Sequence, residues 1–418
     1  MNLYSHQQKI IQENKDKVGI FLGTGGGKTR VALALARGKT LVICPKTQYE
    51  DQNWQREAQK MGLKIDLTVI SKEKFRSSWP LLPHFDTVIA DECHVLAGVT
   101  AAVRWRKGEQ YPKASQLFEA TQAYIKKNLP ERLYLLTATP AKSPMAVWAL
   151  GKLLGKNWDW FKFRDKFYIQ LPSIGRNVYK ARSDRKTKET IGELVRGLGY
   201  TGRLEEWFDF PESTYKTDSI SLTKEQEKRI KEIPNEYPDP IVALGKIHQI
   251  ENGVLGGDEY VAPESFKNEK IERILQYAEE FDKILIFAKY LAQIEAIKKA
   301  LEKAGKKVLI LTGATKERGN LISSANSNEG CIVIAQSQIS LGYELPSFPC
   351  VIYASMSWSQ VDLIQSYGRV QRANALKHNL YIYLVVHGKN SIDEAVFKTL
   401  MNKQDFHEKI YLHKVGKI

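Results

Sequence analysis

The sequence predicts an α/β protein of two parallel-sheet units in tandem, joined by a basic helical insert. Short apolar runs alternate with helix-like segments up to about residue 150, and the same rhythm returns after about residue 213. The stretch between them is different, with closely spaced aromatics followed by a run of basic residues. Strands that alternate with helices build a parallel sheet covered on both faces. A chain of 418 residues also exceeds what one ordinary hydrophobic core organises. The expected organisation is therefore a first unit over 1–150, an insert or connector over 151–212, and a second unit over 213–418.

In the first unit, VGIFL (18–22) precedes a glycine-rich turn and the helical RVALALA. LVIC (41–44) precedes a polar helical stretch ending near Lys60. LTVI (67–70), TVIA (87–90) and LYLLTA (133–138) complete the strands. The middle segment carries Trp158, Trp160, Phe161, Phe163, Phe167 and Tyr168, then Arg176, Lys180, Arg182, Arg185, Lys186 and Lys188 against Asp184 alone. Such a run is either a solvated face or a surface for phosphates, and the aromatics serve either core packing or base stacking. SISL (219–222), ILIF (284–287), VLIL (308–311), CIVIA (331–335), VIYA (351–354) and LYIYLVV (380–386) are the strands expected in the second unit. Ser391-Ile-Asp-Glu394 reads as a capping box opening a final helix.

The composition is that of an ordinary globular chain, 43% hydrophobic and 26% charged. Its net charge of +15 suits a polyanionic partner, and suits solubility equally. Cys44, Cys93, Cys331 and Cys350 have no metal-ligand spacing, and three adjoin apolar runs, so buried reduced thiols are expected. No apolar run is long enough to span a membrane, and Met1–His6 lacks a charged-then-apolar signal pattern. A cytoplasmic location without membrane association is the expectation.

Gly23-Thr24-Gly25-Gly26-Gly27-Lys28-Thr29 lies between a strand and a helix, the context required of a phosphate-binding loop. Glycines let backbone N–H groups turn toward phosphate, and the helix N-terminus adds partial positive charge. Lys28 is positioned to reach the β- and γ-phosphates of ATP, and the Thr29 hydroxyl to bind Mg²⁺. The strict pattern begins with a further glycine, where this chain has Leu22. Downstream, the buried run TVIA ends in Asp91-Glu92-Cys93-His94. Adjacent carboxylates at a strand end divide the work: Asp91 for Mg²⁺, Glu92 to orient and deprotonate the attacking water.

With these residues the chain resembles superfamily-two helicases and translocases. Asp-Glu-Cys-His (91–94) matches their Asp-Glu-x-His box, and Leu136-Thr137-Ala138-Thr139-Pro140 matches their third motif, which couples nucleotide state to nucleic-acid grip. Leu3-Tyr4-Ser5-His6-Gln7 resembles the N-terminal element whose Gln reads adenine, the alternative for Gln7 being a surface amide. Gln365-Ser-Tyr-Gly-Arg369-Val-Gln-Arg372 matches the sixth motif, whose arginines stabilise the transferred phosphoryl group. Spaced one helical turn apart, Arg369 and Arg372 are expected on one helix face. Ser340–Leu345, Ile284–Tyr290 and Gly313 resemble the fifth motif, the fourth, and the short glycine element after it.

The resemblance implies two RecA-like lobes with ATP held in the cleft between them. It also implies a grip on nucleic acid around Lys46, Thr47, Ser71, Thr137 and Gly342, beside the basic residues Arg182, Arg185 and Lys186. Within the superfamily, the Swi/Snf-like branch is the nearest match. Cys44-Pro45, Trp54-Gln-Arg-Glu57, Val69–Phe75, Leu222–Gln226 and Trp358-Ser-Gln carry that likeness, with helix core as the alternative use of Trp54. The implied activity is an ATP-driven motor on duplex or branched DNA, monomeric in its catalytic unit and working beside replication or repair proteins. Two alternatives stand: a strand-separating or RNA-directed helicase, and a nucleotide-binding switch with no motor cycle.

Overall fold

The computed structural model describes residues 3–106, 108–172, 174–175, 177–202, 206–207, 212–256, 263–315, 318–328, 330–337, 344–371, 378–388 and 390–402. The chain folds as two units, Met1–Phe208 and Asp209–Ile418. The first contains β1 (Lys17–Leu22), β2 (Thr40–Cys44), β3 (Leu67–Ser71), β4 (Thr87–Ala90), β5 (Val99–Arg106), β6 (Glu109–Ala114), β7 (Arg132–Leu136), β8 (Tyr168–Gln170), β9 (Tyr179–Ala181) and β10 (Gly199–Gly202). Among these, β10-β1-β7-β4-β2-β3 form one sheet in that order, every pair parallel. β5–β6 and β8–β9 are separate antiparallel pairs.

The strands of the large sheet are apolar on both faces because helices cover both. Successive residues point to opposite sides. Phe21, Leu41, Ile43, Val88, Leu133 and Leu135 enter one core, while Ile20, Leu22, Val42, Ile89, Tyr134 and Leu136 enter the other. Trp54 is fully buried in the second of these cores.

Residues 151–208 pack with the first unit. Trp160, Phe163 and Phe167 on the helix Trp160–Phe167, and Ile191, Val195 and Leu198 on the helix Arg185–Leu198, are buried in its core. The segment ends by adding β10 beside β1, with Gly199 opposite Gly19. A Cβ on Gly199 would lie 2.0 Å from the Gly19 carbonyl oxygen, so this close pairing needs glycine.

The second unit contains β11 (Glu212–Ile220), β12 (Val254–Leu255), β13 (Glu264–Ser265), β14 (Ile284–Ala288), β15 (Val308–Leu311), β16 (Ile332–Gln336), β17 (Cys350–Tyr353) and β18 (His378–Val386). Its sheet runs β11-β18-β17-β14-β16-β15, again all parallel. Both units are thus the expected α/β type, consistent with tandem RecA-like lobes. The first strand of this unit differs from expectation: it ends at Ile220 instead of running through SISL. Ser221 N–H donates to Glu269 Oε2, and Thr223 caps the helix Lys224–Glu236, so both residues serve a turn.

A buried polar network fastens the final helix. Lys270 Nζ donates to Asp393 Oδ2 (2.8 Å), Asn252 Oδ1 (2.7 Å) and the Ala354 carbonyl (2.7 Å). Its three protons therefore have three acceptors, which makes burial of the ammonium tolerable. Trp358 Nε1–H donates to His248 Nδ1, and an indole can only donate. The His248 proton therefore sits on Nε2, facing Asp393 Oδ1 at 3.2 Å. Burial pushes the His248 pKa down to about 4, in keeping with a neutral ring. Ser391 Oγ accepts from Glu394 N–H and caps the helix Ile392–Met401, but the reciprocal half of the expected capping box is replaced: Glu394 Oε2 accepts from Gly388 N–H.

The four cysteines are buried free thiols. Among the described residues, no helix is long and apolar enough to cross a membrane.

Candidate nucleotide and nucleic-acid site

The C-terminal ends of parallel strands gather the candidate residues of the first unit, as open α/β sheets require. After β1, Gly25 and Gly27 adopt φ of 89° and 77°, a region that favours glycine. The loop delivers Lys28 and Thr29 to the N-terminus of the helix Lys28–Leu35. Lys28 Nζ donates to the carbonyls of Leu22 (3.0 Å) and Gly23 (3.3 Å), which keeps the ammonium inside the loop's curve. Gly23 N–H donates to the Gly202 carbonyl, extending the β1–β10 pairing into the loop.

The N-terminal element braces this loop. Gln7 is buried; its Oε1 accepts from Tyr4 N–H and its Nε2 donates to the Gly26 carbonyl at 3.2 Å. His6 Nε2 donates to the same carbonyl at 3.1 Å, and its ring stacks on Trp207 with centroids 3.8 Å apart. A Cβ on Gly27 would lie 1.9 Å from Gln7 Nε2. Gln7 is therefore a buried buttress of the phosphate loop, not a surface amide.

The acidic box follows β4. Asp91 is buried, and its Oδ1 accepts from Glu92 N–H at 2.8 Å. Burial, reinforced by the neighbouring Glu92 charge, pushes the Asp91 carboxyl up to about 6. Burial also opposes ionisation of Glu92. There, the His94 hydrogen bond and the charges of Lys28, His94 and Lys72 win, holding it at about 2. Glu92 has φ of 45°, a left-handed conformation costing a non-glycine residue about 1–3 kcal/mol. That bend turns its carboxylate toward His94, whose Nδ1 lies 3.2 Å from Glu92 Oε2 and 3.0 Å from Thr137 Oγ1. An ionised carboxylate only accepts, so Nδ1 carries the proton. Thr139 N–H donates to Thr137 Oγ1 at 3.1 Å. An ion-pair contact from Glu92 to His94, followed by the hydrogen bonds His94–Thr137 and Thr139–Thr137, thus links the acidic box to Leu-Thr-Ala-Thr-Pro.

Lys72 has no counterpart among the residues expected from sequence. It is buried, donates to the Glu92 carbonyl at 3.0 Å, and has its pKa lowered by burial against the pull of Asp91 and Glu92. A single lysine after Ser71 offers no signal of this kind in sequence; only the meeting of β3 and β4 ends reveals it.

Asp91 and Thr29 suit a divalent ion that arrives with a nucleotide. Such an ion takes one hydroxyl and one carboxylate from protein, and its other ligands from phosphate and water. The buried Asp91 carboxyl, raised for want of full cationic compensation, fits that part. Among the described residues no group of three His, Cys, Asp or Glu could hold a metal alone.

The candidate grip residues of this unit occupy other strand ends. Ser71 ends β3 and caps the helix Lys72–Ser78 through Lys74 N–H. Lys46 is exposed beside Glu50, and the neighbouring Thr47 Oγ1 is buried without a hydrogen-bond partner. Thr137 was expected to touch nucleic acid. It is fully buried, and its hydroxyl is committed to His94 and Thr139.

Arg182, Arg185 and Lys186 are exposed. The last two open the helix Arg185–Leu198, whose opposite side buries Ile191, Val195 and Leu198. Cations in a first turn oppose the helix dipole, so helix stability does not explain their placement. Asp184 caps the turn and Glu189 pairs with Arg185 at 2.7 Å, which offsets part of the cost. Replacing Arg182, Arg185 and Lys186 together with Ala is expected to flatten the salt dependence of nucleic-acid affinity. Each lost phosphate contact removes about 0.9 from the log–log slope on duplex. Titrations at several salt concentrations check this, and an unchanged slope assigns the run to solvent. Arg176, the first residue of the run, lies outside the described residues.

In the second unit, Gln365 and Arg369 are buried on the helix Gln360–Val370, and Arg369 Nε donates to the Gln365 carbonyl at 3.1 Å. The helix ends at Val370, and its C-cap Gln371 is in extended backbone. Arg372 and Gly342 lie outside the described residues.

The helicase conserved C-terminal domain family matches residues 267–374. The chain is also 22% identical, over 302 residues, to a provisionally named ATP-dependent RNA helicase of Methanocaldococcus jannaschii. That match covers 69% of this chain and 34% of the relative, so the chain spans about a third of the relative's length. Together with the tandem sheets and the phosphate loop, these similarities support a protein of helicase superfamily-two type.

Proposed function

We propose that the protein is an ATP-driven translocase of Swi/Snf-like type acting on duplex or branched DNA. The observation that carries the motor reading is the contact path from Glu92, ion-paired with His94, through the hydrogen bonds of His94 to Thr137 and of Thr139 to Thr137. It gives the water-orienting carboxylate a direct mechanical link to the motif that resembles the nucleic-acid coupling element.

In this reading Lys28 anchors the β- and γ-phosphates, and Gln7 with His6 holds the loop in shape through Gly26. Thr29 and Asp91 would hold Mg²⁺, which when bound neutralises charge on the phosphates. Glu92, ionised throughout the physiological range, accepts a hydrogen bond from the attacking water and aims it at the γ-phosphorus. Its lowered pKa keeps the carboxylate in the anionic form that accepts from the water. Arg369, and Arg372 by the same resemblance, stabilise charge on the transferred group. Phosphate contacts position such a protein without reading sequence.

ATPase rates with duplex DNA, single strands and RNA test this reading. Stimulation is expected to be strongest with duplex or branched DNA; none by any nucleic acid would leave a nucleotide-binding switch. RNA stimulation would favour the second reading, an RNA-directed helicase, which the name of the archaeal relative recommends. Triplex-strand displacement and long-fork unwinding form a further pair of assays. Displacement without efficient long-fork unwinding is the expected result, and the converse would promote a strand-separating helicase.

A further inference from the structure

We propose that the hairpin β5–β6 is a junction-binding element whose Trp105 stacks on the terminal base pair where single strands meet duplex. The proposal rests on the nucleic-acid motor reading and adds a structural preference to it. The hairpin leaves the C-terminal edge of the sheet, the edge that carries the phosphate loop, Thr47, Ser71 and the acidic box. Four residues separate His94 from β5. Its root is closed where Ser115 N–H donates to the Gly98 carbonyl at 2.7 Å. A Cβ on Gly98 would lie 2.5 Å from Ser115 Oγ, so the root is tight.

An isolated two-stranded hairpin is marginal in water. This one is anchored at its base, where Val99 and Ala101 enter the core and Val103 and Ala114 pack on it. Toward the tip the character changes. Trp105 is 64% exposed although it shares a face with Val103 two residues earlier. Arg106 pairs with Glu109, and Gly108 in the connecting turn has φ of 80° with open space where a Cβ would be. Scattered exposed apolar residues are ordinary. Here, however, the ring lies near the end of a hairpin rooted beside the acidic box, and exposed Lys113 lies on the returning strand. Arg104 is ion-paired with Glu119, tying β5 to the following helix. Exposed aromatic rings stack on bases without regard to sequence. A junction offers an uncovered base-pair face, which a continuous duplex does not.

The test compares binding to a fork and to a blunt duplex of equal length, with 2-aminopurine in the fork's terminal pair. DNA and RNA forks of the same sequence form separate arms. Wild type is expected to prefer the fork and to change the 2-aminopurine fluorescence. Trp105→Ala is expected to lower fork affinity by about 10-fold, a scale typical of losing one stacked base, and to abolish the fluorescence change. Trp105→Phe should retain most of both, which separates stacking from a folding defect. Equal fork preference and fluorescence in Trp105→Ala would overturn the proposal while leaving the motor reading intact. Absence of nucleic-acid-stimulated ATPase in wild type would instead overturn the motor reading on which the proposal stands.

Discussion

Glu92→Gln is expected to bind ATP as tightly as the wild type and to lose at least about 10²-fold in turnover, within the range for a positioned acid–base group. The substitution keeps the shape of the side chain. It removes the charge that holds the water-facing acceptor, and it changes the partner of His94 Nδ1 at 3.2 Å. Lys28→Ala should behave differently. Its ammonium reaches across the loop to Leu22 and Gly23, and by proposal to phosphate, so binding and hydrolysis fall together. Nucleotide affinity by fluorescence, beside steady-state ATPase, separates the two. Normal hydrolysis by Glu92→Gln would assign water activation to another residue.

Arg369→Ala is expected to cut turnover by at least ~10², the scale for losing one transition-state donor, with ATP affinity much less affected. Arginine fingers in other phosphoryl-transfer enzymes supply roughly 10³–10⁵. Arg369 is buried and bonded within its helix, so a thermal melt must accompany the kinetics. Arg369→Lys provides the second check: it keeps the charge and removes the planar fork. A variant of normal stability that loses affinity and turnover in proportion would make Arg369 a ground-state contact.

The strands most legible in sequence were those buried on both faces. VGIFL, LVIC, TVIA and ILIF announce themselves because helices on either side leave no place for polar residues. Besides the short pairs β8–β9 and β12–β13, three kinds of strand escaped. β10 is Gly-Tyr-Thr-Gly, chosen for close approach to Gly19 instead of for apolar content. β5 and β6 mix charges, glutamine and a proline, since much of the hairpin faces water. β11 lies at the sheet edge, begins well before SISL, and takes in only Ser219 and Ile220 of it. The phosphate loop and acidic box were legible because their chemistry is local in sequence. Lys72 beneath Glu92, and His6 and Gln7 braced on Gly26, were less so: their roles depend on contacts that cross from strand to strand or helix to loop.

The placement of β10 has a consequence for how the chain is made. Gly23, the first residue of the phosphate loop, donates its N–H to Gly202, a residue synthesised long after it. While the chain emerges from a ribosome, β1 has β7 on one flank once residue 136 is out, and an open flank until β10 follows. During that interval the nascent loop lacks one of its anchoring bonds, and an unpaired strand edge is a template for wrong partners. Vectorial synthesis therefore delays completion of the nucleotide-binding half until the aromatic and basic segment has been threaded. A fragment stopping at residue 150 would preserve that incomplete state permanently.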